Sequence, residues 1–315
     1  MTPLSLTASL GDAANTAINM VLLSGAKSHG QSRPTGEVGF VAAVVLGAVP
    51  AIADAWRPLL KPHGLSVSLT GVFCHQTPQV SFVDSAGKSR RCELADLLVV
   101  VDDLTSGEQG RRWAVLVQAK IAARFGGITL RAPGDLVQLD LLSNWPRFNL
   151  PAGFAPGERD FRTCGHRGAA LDCGTYGLID SQAPAWRQQP PAKVMPAGGD
   201  ELGTFLAHML EDGQIGYGRE ATGLDDDWSK TVEELTQTTA ALAFTHAAGL
   251  TGRYPRGNTG VAFCIAGDGL GDAKGSWGRR APPSGDRPEP DDDRPGQGIS
   301  TLRIAVHQSE ADGER

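Results

Sequence analysis

The residues best suited to chemistry are Asp96, Gln118 and Lys120. Gln118-Ala119-Lys120 ends an apolar run, Trp113 to Val117, and Asp96 opens another, Leu97 to Val101. Alternate residues of a strand face the same side, so Gln118 and Lys120 share a face and Ala119 takes the other. If the two runs pair as antiparallel strands through the connection between them, their outer ends coincide and Asp96 lies beside Gln118 and Lys120. A carboxylate and an amide oxygen are hard ligands for Mg²⁺ or Mn²⁺, and an ammonium beside them can hold an attacking water or a phosphorus-centred anion. That combination suits phosphodiester cleavage.

These residues need elements to position them. Glu37–Trp56 is apolar nearly all round, as in a buried helix, with Pro50 kinking or dividing it. Strands are expected at Leu65–Phe73, Val80–Val83, Glu93–Val101 and Trp113–Lys120. A helix over Asp135–Trp145 is halted by Pro146. Further helices are expected at Glu201–Leu210 and Trp228–Leu250, the second opening near Asp225–Asp227, where negative charge suits a helix N-terminus. Val261–Ala266 and Ile299–Val306 read as strands; residues 151–200 show little periodicity, and Ala17–Leu23 reads as a short helix. Proline, glycine and aspartate over residues 279–297 predict a disordered loop.

With its spacing of 22 positions, Asp96…Gln118-x-Lys120 resembles the PD-(D/E)XK nuclease superfamily in its D…QxK variant, seen in Mrr-like restriction enzymes and anti-phage effector nucleases. The resemblance covers residues 36–150 and implies a restriction-endonuclease-like αβββαβ core, within an α/β chain whose C-terminal elaboration is mainly helical and loop-rich. It makes Asp96 and Gln118 metal ligands, with Glu37 as an extra acidic ligand, and Lys120 the catalytic lysine. Gln138 is similar to the glutamine of the QxxxY motif of RecB-like members, although Leu142 replaces the tyrosine. The division implied is an N-terminal segment (1–35), the nuclease core (36–150), an elaboration (151–260) and closing strands (261–315). The activity implied is Mg²⁺- or Mn²⁺-dependent cleavage of DNA, with RNA not excluded, in bacterial anti-phage defence. The neutral Gln118 removes a negative charge from the metal site, so the alternative is a weak or inactive nuclease-fold subunit that binds nucleic acid or a protein partner.

Bulk properties bound these expectations. The formal net charge is -6, so nucleic acid must be held by a local patch rather than by the whole surface. Residues 86–131 hold eight cations against five acids, and Arg90, Arg91 and Arg124 are the candidate phosphate contacts. His75 could approach from a neighbouring strand end. Aromatic residues make up 6% of the chain, which argues against base-stacking platforms. Five cysteines, with no basic leader before them, point to a reducing cytoplasm. The apolar run Val38–Ala53 is shorter than a membrane span needs. Cys164-Gly-His166 with Cys173 lacks a fourth zinc ligand at usable spacing, and Gly267-Asp-Gly-Leu-Gly271 is not followed by a helix, so the dinucleotide fingerprint fails. A homo-oligomer or a partner protein would supply further positive surface.

Overall fold

The computed structural model describes residues 4–29, 31, 33–74, 78–105, 110–122, 127–162, 170–180, 185–211, 216–223, 225–246, 261–268 and 298–309. His75, Arg124 and the expected loop over 279–297 lie outside them. The fold is mixed α/β, built on a nine-stranded sheet with helices on its faces.

The named strands are β1 (Leu65–Cys74), β2 (Gln79–Val83), β3 (Ser89–Glu93), β4 (Leu97–Leu104), β5 (Arg111–Ile121), β6 (Gly174–Asp180), β7 (Ala185–Gln189), β8 (Val261–Gly267) and β9 (Ser300–Gln308). Across the large sheet the order is Asp200–Glu201, β7, β6, β5, β4, β9, β1, β8, with Arg219–Glu220 also pairing with β5. β5/β6 and β4/β9 are parallel; the other pairs are antiparallel. β2 and β3 form a hairpin in a separate four-stranded sheet.

Both faces of the large sheet are covered, which explains the unbroken apolar runs in β4 and β5. Leu97, Val99 and Val101 of β4, with Val115, Val117 and Ala119 of β5, face a core shared with helices α1 (Leu4–Ser24), α2 (Gly36–Ala43) and α3 (Val49–Leu60). Leu98, Val100, Ala114 and Leu116 face a second core, shared with α4 (Pro133–Asn144) and α6 (Asp227–His246), whereas α5 (Leu202–His208) joins the first. By the same alternation Gln118 and Lys120 point to the second-core side, where the apolar face of β5 turns polar at its end.

Several elements differ from the sequence expectation. α1 runs for 21 residues rather than seven, because Leu6, Leu10, Ala14, Ala17, Ile18 and Val21 make one buried stripe at helical spacing. Around Pro50 the second helix is divided into α2 and α3 by a π-helical turn, Val44–Ala48, with Pro50 in the first turn of α3, where its lack of an N–H is tolerated. The continuous helical stretch Gly36–His63 is long and apolar enough to cross a membrane, but Ala42 to Leu46 and Ile52 to Ala53 are buried in the first core. Residues 151–200 contain β6 and β7, which glycines obscured: Gly174 packs against Trp145, and Gly177 against the Trp186 indole. The sheet therefore draws strands from residues 65–121, 174–189 and 261–308, across the segments expected from the sequence.

The π turn lies against β1 through Gly71, where a Cβ would come within 2.0 Å of the Val45 carbonyl oxygen. Backbone cannot yield there, so Gly71→Ala is expected to destabilise the protein by roughly 2–3 kcal/mol. Gly134, with nothing within 4 Å, should accept alanine at no cost. Urea melts of the two variants check this; equal midpoints would contradict it.

Candidate active site

β4 and β5 pair antiparallel with Leu97 opposite Val117, and the Asp96 N–H donates to the Val117 carbonyl at 3.1 Å. β5 runs on to Ile121 beyond the end of β4, so the N–H groups on that side need other acceptors. Asp96 Oδ2 accepts the Ala119 N–H at 2.8 Å, and Glu37 Oε1, arriving from the first turn of α2, accepts the Ile121 N–H at 3.4 Å. Asp96 Oδ2 also accepts from the Gln118 amide, whose Oε1 accepts from Gln138 on α4. Gln138 reaches the Glu93 carbonyl at 3.5 Å as well. A chain of amides thus links α4 to Asp96, while Asp96 Oδ1 meets no donor among the described residues.

Lys120 Nζ lies 3.0 Å from Asp135 Oδ1 on α4 and 3.5 Å from Glu37 Oε2 on α2. Burial opposes its charge, but Glu37, Asp135 and Asp96 outweigh burial and hold the ammonium above the usual lysine range. It is therefore a fixed cation rather than a base. Burial pushes the Asp96 carboxyl up to about 7, with Glu93 and Glu37 adding to the rise against the Ala119 N–H and Lys120. Glu93 is exposed at the end of β3, but the protein packed around it partly desolvates its carboxyl and raises it, opposed by Lys120 and helped by Glu37. Four carboxylates, Glu37, Glu93, Asp96 and Asp135, thus act on one ammonium, an excess of negative charge that favours a bound cation.

Among the described residues no three of His, Cys, Asp and Glu converge as a metal cage. Mg²⁺ does not require one, since it keeps several waters and is held by one or two carboxylates together with substrate oxygens. Asp96 Oδ1 is available to it. Gln118 fits as a second ligand if its amide and that of Gln138 both turn over, so that Gln118 Oε1 leaves Gln138 and Gln118 Nε2 donates to Gln138 instead. On that donor set and its charge, the residues fit one hard divalent cation. Glu37, expected as a ligand, is engaged with Lys120 and the Ile121 N–H.

Asp96, Gln118, Lys120, Glu37 and Gln138 come together as the sequence suggested, with Gln138 bonded to Gln118. Arg91 is exposed on the same face of β3 as Glu93, two residues back, whereas Arg90 lies on the opposite face with its Nε 2.6 Å from Asp84. Arg111 and Arg112 lie at the far end of β5 from Lys120, opposite Asp103 and Asp102. Sequence reasoning did not single out Asp135, Glu93 or Tyr176. Asp135 had a usable signal, since it precedes Gln138 by three residues and shares its helix face.

Because the Asp96 carboxyl titrates near 7 in the fold and near the ordinary ~4 in the unfolded chain, the folded protein keeps a proton through that window that the unfolded chain releases. Its effect is absent in acid and becomes destabilising as pH rises from about 4 to 7. Asp96→Asn should therefore gain stability relative to the unchanged protein between pH 5 and pH 8, on the order of 1 kcal/mol or more. Urea melts at both values test this, and parallel pH dependences would overturn it.

Comparison with protein-family models, curated proteins and solved structures finds no match to this chain.

Proposed function

We propose that this protein is a divalent-cation-dependent nuclease of the restriction-endonuclease-like type, cleaving DNA phosphodiester bonds as an effector of bacterial anti-phage defence. The supporting observation is that Asp96, Gln118 and Lys120 meet at one strand end, inside a carboxylate cluster whose negative charge exceeds what Lys120 neutralises. The order of elements agrees with the reading: a helical stretch over 36–60, strands over 65–121, α4, and then β6 parallel to β5. β9, inserted between β1 and β4, and the β2–β3 hairpin, which lies in a separate sheet, are additions to that order. The defence role rests on the resemblance of Asp96…Gln118-x-Lys120 alone.

In this reading Asp96 and Gln118 would hold Mg²⁺, which would supply Lewis-acid activation of water and neutralise charge on the phosphate. Lys120 remains protonated and holds an anionic phosphate oxygen, steadied by Asp135 and Glu37 from two different helices. Attack of water on phosphorus forms one P–O bond and breaks the ester P–O bond to the leaving sugar oxygen, which takes a proton from solvent. The proton lost by the water passes to Glu93, exposed at the end of β3, which partial desolvation and the neighbouring Glu37 make more basic than an ordinary carboxylate.

A second reading is favoured by the amide chain itself. With Gln138 bonded to Gln118 Oε1 and Gln118 bonded to Asp96, the second ligand is occupied, as in a weak or inactive subunit that binds nucleic acid or a protein. Cation titration separates the two readings. In a live site Mg²⁺ raises the melting temperature, and more at pH 8 than at pH 6, because Asp96 must lose its proton to bind; a dead site gives no shift at either pH.

Plasmid, linear, single-stranded and RNA substrates, each with and without Mg²⁺, test the activity. Lys120→Ala is expected to lower DNA cleavage by about 100-fold or more at temperatures where the variant remains folded, with a lowered melting temperature because Asp135 and Glu37 lose their partner. Nicking at the original rate by that variant would sink the assignment.

A further inference from the structure

Tyr176 on β6 stands directly across the parallel strand pair from Gln118, so the two side chains emerge from the same face of the sheet. The residue is 0% exposed, and its hydroxyl has no hydrogen-bond partner among the described residues. Buried tyrosines ordinarily find a partner, because an unsatisfied hydroxyl costs about 1–3 kcal/mol. Phenylalanine would fill the same space in the second core, beside Leu116 and Leu178, without that cost. The surroundings are not neutral either: Asp135, Cys92 and Asp96 all act electrostatically on the phenol, and burial, the largest influence, also raises its pKa. The group therefore stays protonated, an O–H donor close to the carboxylates that surround Lys120.

Those carboxylates only accept when ionised, and a water molecule can join such acceptors to a donor. Resting on the nuclease reading, we propose that Tyr176 is a positioning residue of the site, whose hydroxyl donates to a bridging water, distinct from the attacking one, while Asp96 and Asp135 accept that water's protons. This contact fixes the two carboxylates relative to Gln118 and Lys120; the attacking water and the transfer of its proton to Glu93 are unaffected. The hydroxyl forms and breaks no covalent bond.

Tyr176→Phe tests the assignment, because it removes one hydroxyl and keeps the ring. The original protein, Tyr176→Phe and Lys120→Ala are compared by thermal melting without metal, by Mn²⁺-dependent shift of the melting temperature at pH 8, and by kcat and KM on plasmid DNA with Mg²⁺. The expected result for Tyr176→Phe is a metal-free melting temperature equal to or above that of the original protein. Its Mn²⁺ midpoint should rise at least threefold, and kcat should fall about tenfold with KM unchanged. A variant matching the original protein in both Mn²⁺ midpoint and kcat would make Tyr176 a core residue only and overturn the inference, leaving the nuclease reading intact. A lowered metal-free melting temperature with unchanged kcat would overturn it in the same way. If the original protein shows neither a Mn²⁺ shift nor cleavage, the nuclease reading falls and this inference falls with it.

Discussion

The site depends on one mismatch of strand length. β5 continues to Ile121, whereas β4 has already ended at Leu97 opposite Val117, so the Ala119 and Ile121 N–H groups face a place where no neighbouring strand exists. A buried donor without an acceptor is costly, and the chain supplies carboxylates instead of a strand: Asp96 for Ala119 and Glu37 for Ile121. Two acids are thereby fixed at the end of β5 by the needs of the backbone alone. Lys120, projecting between them, gathers Asp135 as a further partner.

The same arrangement explains why the electrostatics are lopsided. Glu37, Asp96 and Asp135 each meet a donor, yet with Glu93 they exceed the charge of the single ammonium, and the deepest of them, Asp96, holds its proton to about 7, chiefly because it is buried and further because acids surround it. Acids placed for structural reasons become a candidate site because their number and burial leave the local charge unbalanced. The amide pair Gln118 and Gln138 can report that imbalance, since turning both amides exchanges a donor for an acceptor beside Asp96.

The centre of this site was legible in the sequence because it is written in a period of two. Asp96 at the start of one apolar run and Gln118 and Lys120 at the end of another need only antiparallel pairing to meet, and the pairing found has the register that this requires. Glu37 and Gln138 were reached through the resemblance. What could not be read came from elements without periodic signal. β6 is interrupted by Gly174 and Gly177, whose missing side chains make room for Trp145 and Trp186, so the strand carrying Tyr176 did not resemble one. The break near Pro50 was legible but its form, a π turn between α2 and α3, was not, and the sheet order was hidden because no local pattern announces that β9 lies beside β4.

That placement of β9 has a consequence for how the molecule comes into being. Ser300 to His307 pair with Leu97 to Leu104, so the strand that carries Asp96 at its head keeps one edge unpaired until a segment some two hundred residues later is available. Contacts of such long sequence separation form late and slowly, because the loop-closure entropy must be met before they contribute. During synthesis the hairpin of β4 and β5 can assemble early, but it cannot be locked into the sheet while the ribosome is still working on the middle of the chain. The acidic cluster at its end thus acquires its final geometry only at the close of folding, and a nascent or truncated chain holds the ingredients of the site without the frame that fixes them.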